Sequence, residues 1–298
     1  MAVVASNIKL EPVNVFLGRR EKTTVTCVAD VADSLDGTYF TLASAGNASN
    51  THYIWLNTAG AAVDPAPAGL TGIEVSITTG DSASVVAAAI VTALASDANF
   101  NAVSSGAVVT IENADIGTAL AVADVDTGFT IAQAVVGAKT DLGGTREGAE
   151  ISFESEEVDV LADQLGGTIL DRIQRSVNAS LTLSLLEMTA TKWDLIVGGM
   201  TGKSVTPSGG TLVTGLGEDR RFVNMSSVSY ELQLQPVGAA DRSRDITLWK
   251  TFAKPTSVNY NSSDLQGMEV EFVAMRDEAK NSAVNLCMFG DPTQKLLV

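Results

Sequence analysis

Reactive and cationic side chains are scarce in this chain, and each scarcity closes off a class of function. The 298 residues include one histidine and two cysteines. Cys27 and Cys287 stand near opposite ends, without the short spacing of a metal site or redox motif, so they read as buried free thiols. His52 is one imidazole with no cysteine or second histidine beside it, which provides neither a catalytic triad nor a zinc site and leaves a strand histidine. Lys and Arg number 19 against 35 Asp and Glu, a net charge of −16, which argues against binding nucleic acid by neutralising phosphates. Long apolar runs are missing too: no window approaches the ~18 unbroken apolar residues of a membrane span. The opening stretch is interrupted by Asn7, Lys9, Glu11 and Pro12 and lacks the continuous apolar core of a signal peptide. A soluble chain kept in a reducing cytoplasm, with no membrane partner, is the expectation.

The remaining motifs that could carry chemistry are incomplete. Asp124-Val125-Asp126-Thr127-Gly128 begins like a calcium loop, but its glycine comes one position early and no bidentate glutamate follows. Gly215-Leu216-Gly217 and the glycine pairs make neither a dinucleotide fingerprint nor a phosphate loop. Adjacent acids such as Glu156-Glu157 sit in polar sequence, where solvated charge is the plainer reading. These residues predict no enzyme, no metal site and no cofactor.

What is present is patterned for strands. From Ser176 to Leu185, Ser176, Asn178, Ser180, Thr182 and Ser184 alternate with Val177, Ala179, Leu181, Leu183 and Leu185. A period of two makes one wet face and one buried face. The spacing then changes, and Leu186, Ala190, Trp193 and Val197 form the stripe of a short helix closed by Gly198-Gly199, placed to cover the sheet. Val13, Val15 and Leu17 share one face of an early strand. Further strands are expected at Phe222 to Leu234, Ile246 to Phe252, Ser257 to Tyr260 and Glu269 to Ala274.

A compositional boundary divides the chain. Between Thr26 and Ala138 there are eleven acidic residues and no Lys or Arg, which marks a separate module. Within it, strands are expected around Tyr39 to Ala43, Tyr53 to Leu56, Ile73 to Ile77, Val108 to Ile111 and Phe129 to Ile131. The alanine-rich run Ala83 to Ala95 carries Val86, Ile90, Val91 and Leu94 at helical spacing, with Asp81 or Ser82 as its cap. One helix on a small sheet is the simplest outcome.

The run from Gly144 onward resembles the tail tube proteins of long-tailed bacteriophages. The resemblance rests on a strand at Ile151 to Phe153, Asp163-Gln164, Asp171-Arg172, the alternating strand from Val177 to Leu185, and a helix over Glu187 to Val197. The segment from Ser34 to Ile131 also resembles a small α+β domain that recurs as an insertion in phage virion proteins. Together these imply a mainly β fold: a tail-tube-like β-sandwich or half-barrel, formed by 1–25 and 139–298, with a short packing helix and an inserted α+β domain at 26–138. The hinges are expected near Lys22 to Val28 and Val136 to Gly143, at ends that lie close together.

In that family the stretch from Glu154 to Gln174 corresponds to a long hairpin or loop that reaches the neighbouring ring. It keeps Val158, Val160, Leu161, Leu165, Ile169, Leu170 and Ile173 among six acidic residues, beginning at Glu154, and Arg172 alone. A loop without a partner has little reason to keep so many large apolar side chains, so these are the candidate inter-ring assembly residues. The resemblance implies a structural virion protein, made in the host cytoplasm and ending in the tail. Its rings would be hexameric, stacking into a tube through which duplex DNA passes without specific binding. Other copies of itself and other tail proteins (a sheath if the tail contracts, a terminator, a baseplate) would be its partners. The alternatives are the tube of a phage-like bacteriocin or secretion machine, and a glycan- or surface-binding virion protein whose inserted module stacks sugars on Tyr39, Tyr53 and Trp55.

Overall fold

The structure is a computed structural model that describes residues 12–58, 60, 62–161, 169–200, 202–205, 213–216, 224–239, 241–259 and 267–295. With 50% strand and 9% helix the protein is mainly β. In chain order the elements begin with β1 (Val13–Arg19), β2 (Lys22–Thr26), β3 (Tyr39–Leu42), β4 (His52–Thr58), β5 (Thr71–Ile77) and α1 (Ala83–Leu94). They continue with β6 (Phe100–Ser105), β7 (Val108–Asn113), β8 (Ala123–Val125), β9 (Thr130–Val135), β10 (Ala138–Asp141), β11 (Thr145–Leu161) and β12 (Ile169–Leu185). After α2 (Ala190–Met200) come β13 (Gly202–Val205), β14 (Val213–Leu216), β15 (Tyr230–Pro236), β16 (Ile246–Asn259), β17 (Gly267–Met275) and β18 (Cys287–Phe289). The chain divides into two compact units, with boundaries after Leu17, Thr140 and Asp291.

The first unit is built on an eight-stranded sheet ordered β10-β1-β15-β16-β17-β12-β11, with β18 paired to β16. The alternation in β12 sets its register. Leu181 lies between Ile151 of β11 and Phe272 of β17, and Phe272 in turn lies opposite Ala253 of β16. Leu181, Phe272 and Ala253 are buried in one apolar core with Leu183, Leu185, Val270 and Leu232. One residue along, Thr182 lies between Glu150 and Glu271, and Lys254 reaches Glu271 at 3.4 Å, so this row is the polar face. A one-residue slip would exchange the two rows, which is why the apolar set specifies the register so strongly.

The packing helix begins later than its sequence suggested and does not stop at the glycines. Thr189 caps it by accepting from the Lys192 N–H, Ile196 is buried, and the helix passes through Gly198 and Gly199 to Met200. Leu186 precedes the helix and is no part of its stripe. Lys192 is buried with its ammonium donating to Leu142 O at 2.8 Å and pairing with Glu187 at 3.1 Å, which secures the start of α2 to the turn before β11.

The second unit, Gly18–Thr140 with Pro292–Leu297, contains two four-stranded sheets rather than one. The order of one is β6-β7-β2-β9; that of the other is β5-β4-β3-β8, in which β4 and β5 run parallel. Helix α1 packs against β5, β6 and β7, and Val86, Ile90 and Leu94 share a core with Phe40, Ile54, Val75, Phe100 and Val109. Ser82 is the cap by position, but its hydroxyl meets the Ser84 hydroxyl at 3.1 Å and makes no capping bond, while Asp81 accepts from the Thr78 N–H at 2.7 Å. Residues 18–25, expected with the opening segment, belong here. The physical reason is that β2 is an interior strand: Val25 lies between Val109 of β7 and Ile131 of β9 and is fully buried.

Where the chain leaves and re-enters the first unit its two segments are neighbours, since the Leu142 N–H donates to Val15 O at 2.9 Å. The same closeness holds within the second unit. A Cβ at Gly18 would come within 2.2 Å of Ala138 O, so only glycine fits there.

Candidate functional site

The most unusual surface lies on β11 and β12. Both strands are 17 residues long, yet β12 pairs with β17 only from Ser180 to Leu185. Beyond that point, among the described residues, the two strands pair only with each other, from Phe153 and Ala179 to the pair Leu161 and Ile169. At about 3.4 Å per residue the ribbon extends roughly 27 Å past the sheet. The strands expected to end at Phe153 and begin at Val177 thus run through the intervening stretch. Pairs such as Val158 with Ile173 continue the ladder.

An isolated two-stranded ribbon is marginal in water, so what decorates this arm matters. Arg172 bridges Asp159 at 2.9 Å and Glu157 at 3.6 Å, and Arg175 meets Glu156 at 3.4 Å. All of these groups are exposed, and each such pair contributes at most about 1 kcal/mol. Between them stand uncovered apolar side chains: Ile173 is 59% exposed, Val158 46% and Ile169 46%. The ladder shifts register where Glu156 and Glu157 face Ser176 and Gln174, leaving Arg175 over. The extra residue is on β12, so β11 alternates without interruption and Val158 and Val160 share the side of Glu154 and Glu156, opposite to Phe153; on β12 the bulge switches the parity and brings Ile173 to that same side, opposite Val158.

Of the assembly residues named from sequence, Glu154, Val158, Val160, Ile169 and Ile173 are together on the arm and exposed. Leu161 and Leu170 belong to the same two strands, and Leu165 lies outside the described residues. Val177 was assigned to the buried face but is exposed, because the covering core ends at Ala179. Two exposed rings were missed as a pair: Phe153 and Phe289 lie 5.8 Å apart. The signal was weak, since Phe289 is distant in sequence and period two says nothing about which strand end lacks cover.

At the base of the arm, residues of β1, β11, β15 and β16 line one cleft. Val13, Ala149, Ile151, Leu234, Pro236 and Ile246 form its walls and Arg244 stands among them, around a volume of about 270 Å³.

The other candidates resolve into structural roles. His52 is buried with Nδ1 2.8 Å from Thr51 Oγ1 and Nε2 3.4 Å from Asp97, and its ring meets Phe100 edge-on. Tyr53 and Trp55 are buried, so neither ring is free to stack on a sugar. Burial and the nearby Asp64 carboxylate push the Tyr53 phenol up to about 12. Asp124 closes a turn by accepting from the Thr127 hydroxyl and from the Thr127 and Gly128 N–H groups. Cys27 is buried and Cys287 half-buried, both are free, and burial pushes their thiols up to about 12 and about 11. Such thiols are poor nucleophiles at neutral pH. Among the described residues no group of three or more His, Cys, Asp or Glu is placed to hold a metal ion, and no helix is long and apolar enough to cross a membrane.

Fold and surface together define a mainly β protein that carries an exposed apolar ribbon. No protein-family model matches the chain, and no curated protein matches it.

Proposed function

We propose that this chain is a self-assembling structural subunit, one that stacks in rings to make a tube of the bacteriophage tail type with a channel for DNA. The observation that carries the reading is the arm, which holds exposed Val158, Ile169 and Ile173 on a ribbon that no other described strand of its own subunit pairs with. Contiguous exposed apolar surface of this kind belongs to an interface. The resemblance of 144–199 to tail tube proteins supplies the kind of assembly and the expectation of hexameric rings. Copies of the chain and other tail proteins are the partners, and the virion tail is the location.

The electrostatics are compatible with a conduit for nucleic acid. Glu150, Glu269 and Glu271 lie on the polar face of the sheet with Lys254 as a counter-charge. A surface with excess carboxylate does not hold phosphate, and a duplex slides past it.

Electron microscopy of the purified full chain tests the proposal. Rings or tubes are expected, and strictly monomeric particles at high concentration would refute it. A glycan-binding role through the second unit has lost two of its three candidate rings to the core. The bacteriocin or secretion tube shares the assembly and differs only in cargo.

A further inference from the structure

We infer that His52 is a proton-operated switch for the surface loop between β3 and β4, which tightens when the ring takes a second proton. The imidazole is buried yet has a polar neighbour at each nitrogen: Thr51 Oγ1 lies 2.8 Å from Nδ1 and Asp97 Oδ2 lies 3.4 Å from Nε2. A carboxylate on the Nε2 side favours the tautomer with its proton there, so Nδ1 of the neutral ring accepts from the Thr51 hydroxyl. The same hydroxyl accepts from the Ser44 N–H at 2.9 Å and stands 3.3 Å from Ser44 Oγ, which accepts from the Asn47 side-chain amide at 2.9 Å. Ser44 and Thr51 stand near the two ends of the loop, whose tip at Ala48 and Ser49 is exposed.

A proton on Nδ1 reverses this chain of hydroxyls. Both ring nitrogens then donate, Nδ1 to Thr51 Oγ1, and the Thr51 hydrogen turns to Ser44 Oγ. The loop gains a bond across its neck, and the bond that drives the change is charge-assisted. Asp97 faces the cation from the turn after α1, and Lys295 shares the field of that carboxylate. Opposite His52, β3 and β5 present Leu42 and Thr71, and Phe100 of β6 meets the ring edge-on. One further carboxyl borders the loop. Glu21, raised by burial, accepts from the Ala119 N–H, while Thr118 O accepts from the Gly46 N–H and the Leu120 N–H donates to Asn47 O. His52 is the only histidine of the chain, so a change in the loop between about pH 5 and 8, where an imidazole ordinarily changes charge, points to this ring or to Glu21. The switch works inside one subunit and needs no assembly.

Hydrogen exchange of the full chain at about pH 5.5 and about pH 8, corrected for the intrinsic exchange rate, tests this. Amides from Ser44 to Asn50 should exchange about two- to tenfold more slowly at the lower pH, the effect of one net hydrogen bond. The difference should vanish in His52→Gln and in Thr51→Val, and it should persist in Thr51→Ser, which keeps the hydroxyl. No difference in the wild type would overturn the inference, and so would one that survives in Thr51→Val. A difference that disappears in Glu21→Gln but not in His52→Gln would overturn it in favour of Glu21. If His52→Gln does not fold, the contrast between Thr51→Val and Thr51→Ser decides.

Discussion

Single residues in this protein are decided by the row they occupy. Leu183 is buried between Ala149 and Val270, whereas Thr182 lies between the carboxylates of Glu150 and Glu271. Leu183→Asp should therefore prevent folding of the first unit, at a cost on the order of several kcal/mol for an unpaired buried charge. Thr182→Lys should fold and gain partners, and thermal denaturation of the two variants checks the register directly. Asp30 gives a pH test in the second unit. Burial alone would raise its carboxyl, but N–H groups of Gly80, Leu35 and Asp33 and the Ser34 hydroxyl hold it below the usual range. A depressed folded-state pKa contributes stability that is present above the unfolded value of about 4 and is lost as pH falls through the folded value. Asp30→Asn should thus destabilise the unit by about 1–3 kcal/mol at pH 7, and the gap to wild type should narrow as pH drops below about 4. A gap that stays constant to pH 2 in chemical denaturation would rule out this role for the carboxylate.

At the scale of elements, the arm and the helices obey different rules. Helix α1 is held by burial of Val86, Ile90 and Leu94, and its last carbonyls receive the Lys295 ammonium at 2.6 Å and 3.1 Å. A cation at a helix C-terminus contributes about 0.3–1 kcal/mol. Leu94→Ala should cost about 2–5 kcal/mol, far more than loss of that cation, because it opens a cavity in a core shared by two sheets. The arm answers to assembly instead. A double variant, Val158→Lys with Ile173→Lys, removes exposed apolar area without touching the core. It should leave folding and stability within about 0.5 kcal/mol of wild type and abolish tubes. Long tubes from that variant in electron micrographs would detach the arm from assembly.

For the whole molecule, the boundary of the second unit fixes what can be removed. Excising 18–140 and joining Leu17 to Asp141 through a short Gly-Ser bridge should leave the first unit folded, because Val15 and Leu142 are already hydrogen-bonded at 2.9 Å. The shortened chain should also end at Asp291, since Arg20 donates to Pro292 O and Lys295 to Leu94 O within the second unit. Excising 26–138 instead leaves residues 18–25 without β7 and β9 and exposes Val25. That deletion should aggregate where the first remains soluble, and size-exclusion chromatography of the two distinguishes them.

The sequence by itself determined the alternation of β12 and hence its buried face, the amphipathic stripe of α1, the acidic module and the apolar content of Glu154 to Ile173. These are local properties, set by side-chain period and composition. Only the tertiary structure decided that Lys22–Thr26 is an interior strand of the second unit, because that depends on β7 and β9, whose paired residues lie 82 to 113 positions further on. Likewise Ala179 and Val177 are equally apolar by pattern, yet one is buried and the other exposed. The pairing of β12 with its neighbour β17 ends at Ser180, and the point where cover ends is a property of the sheet and not of the strand.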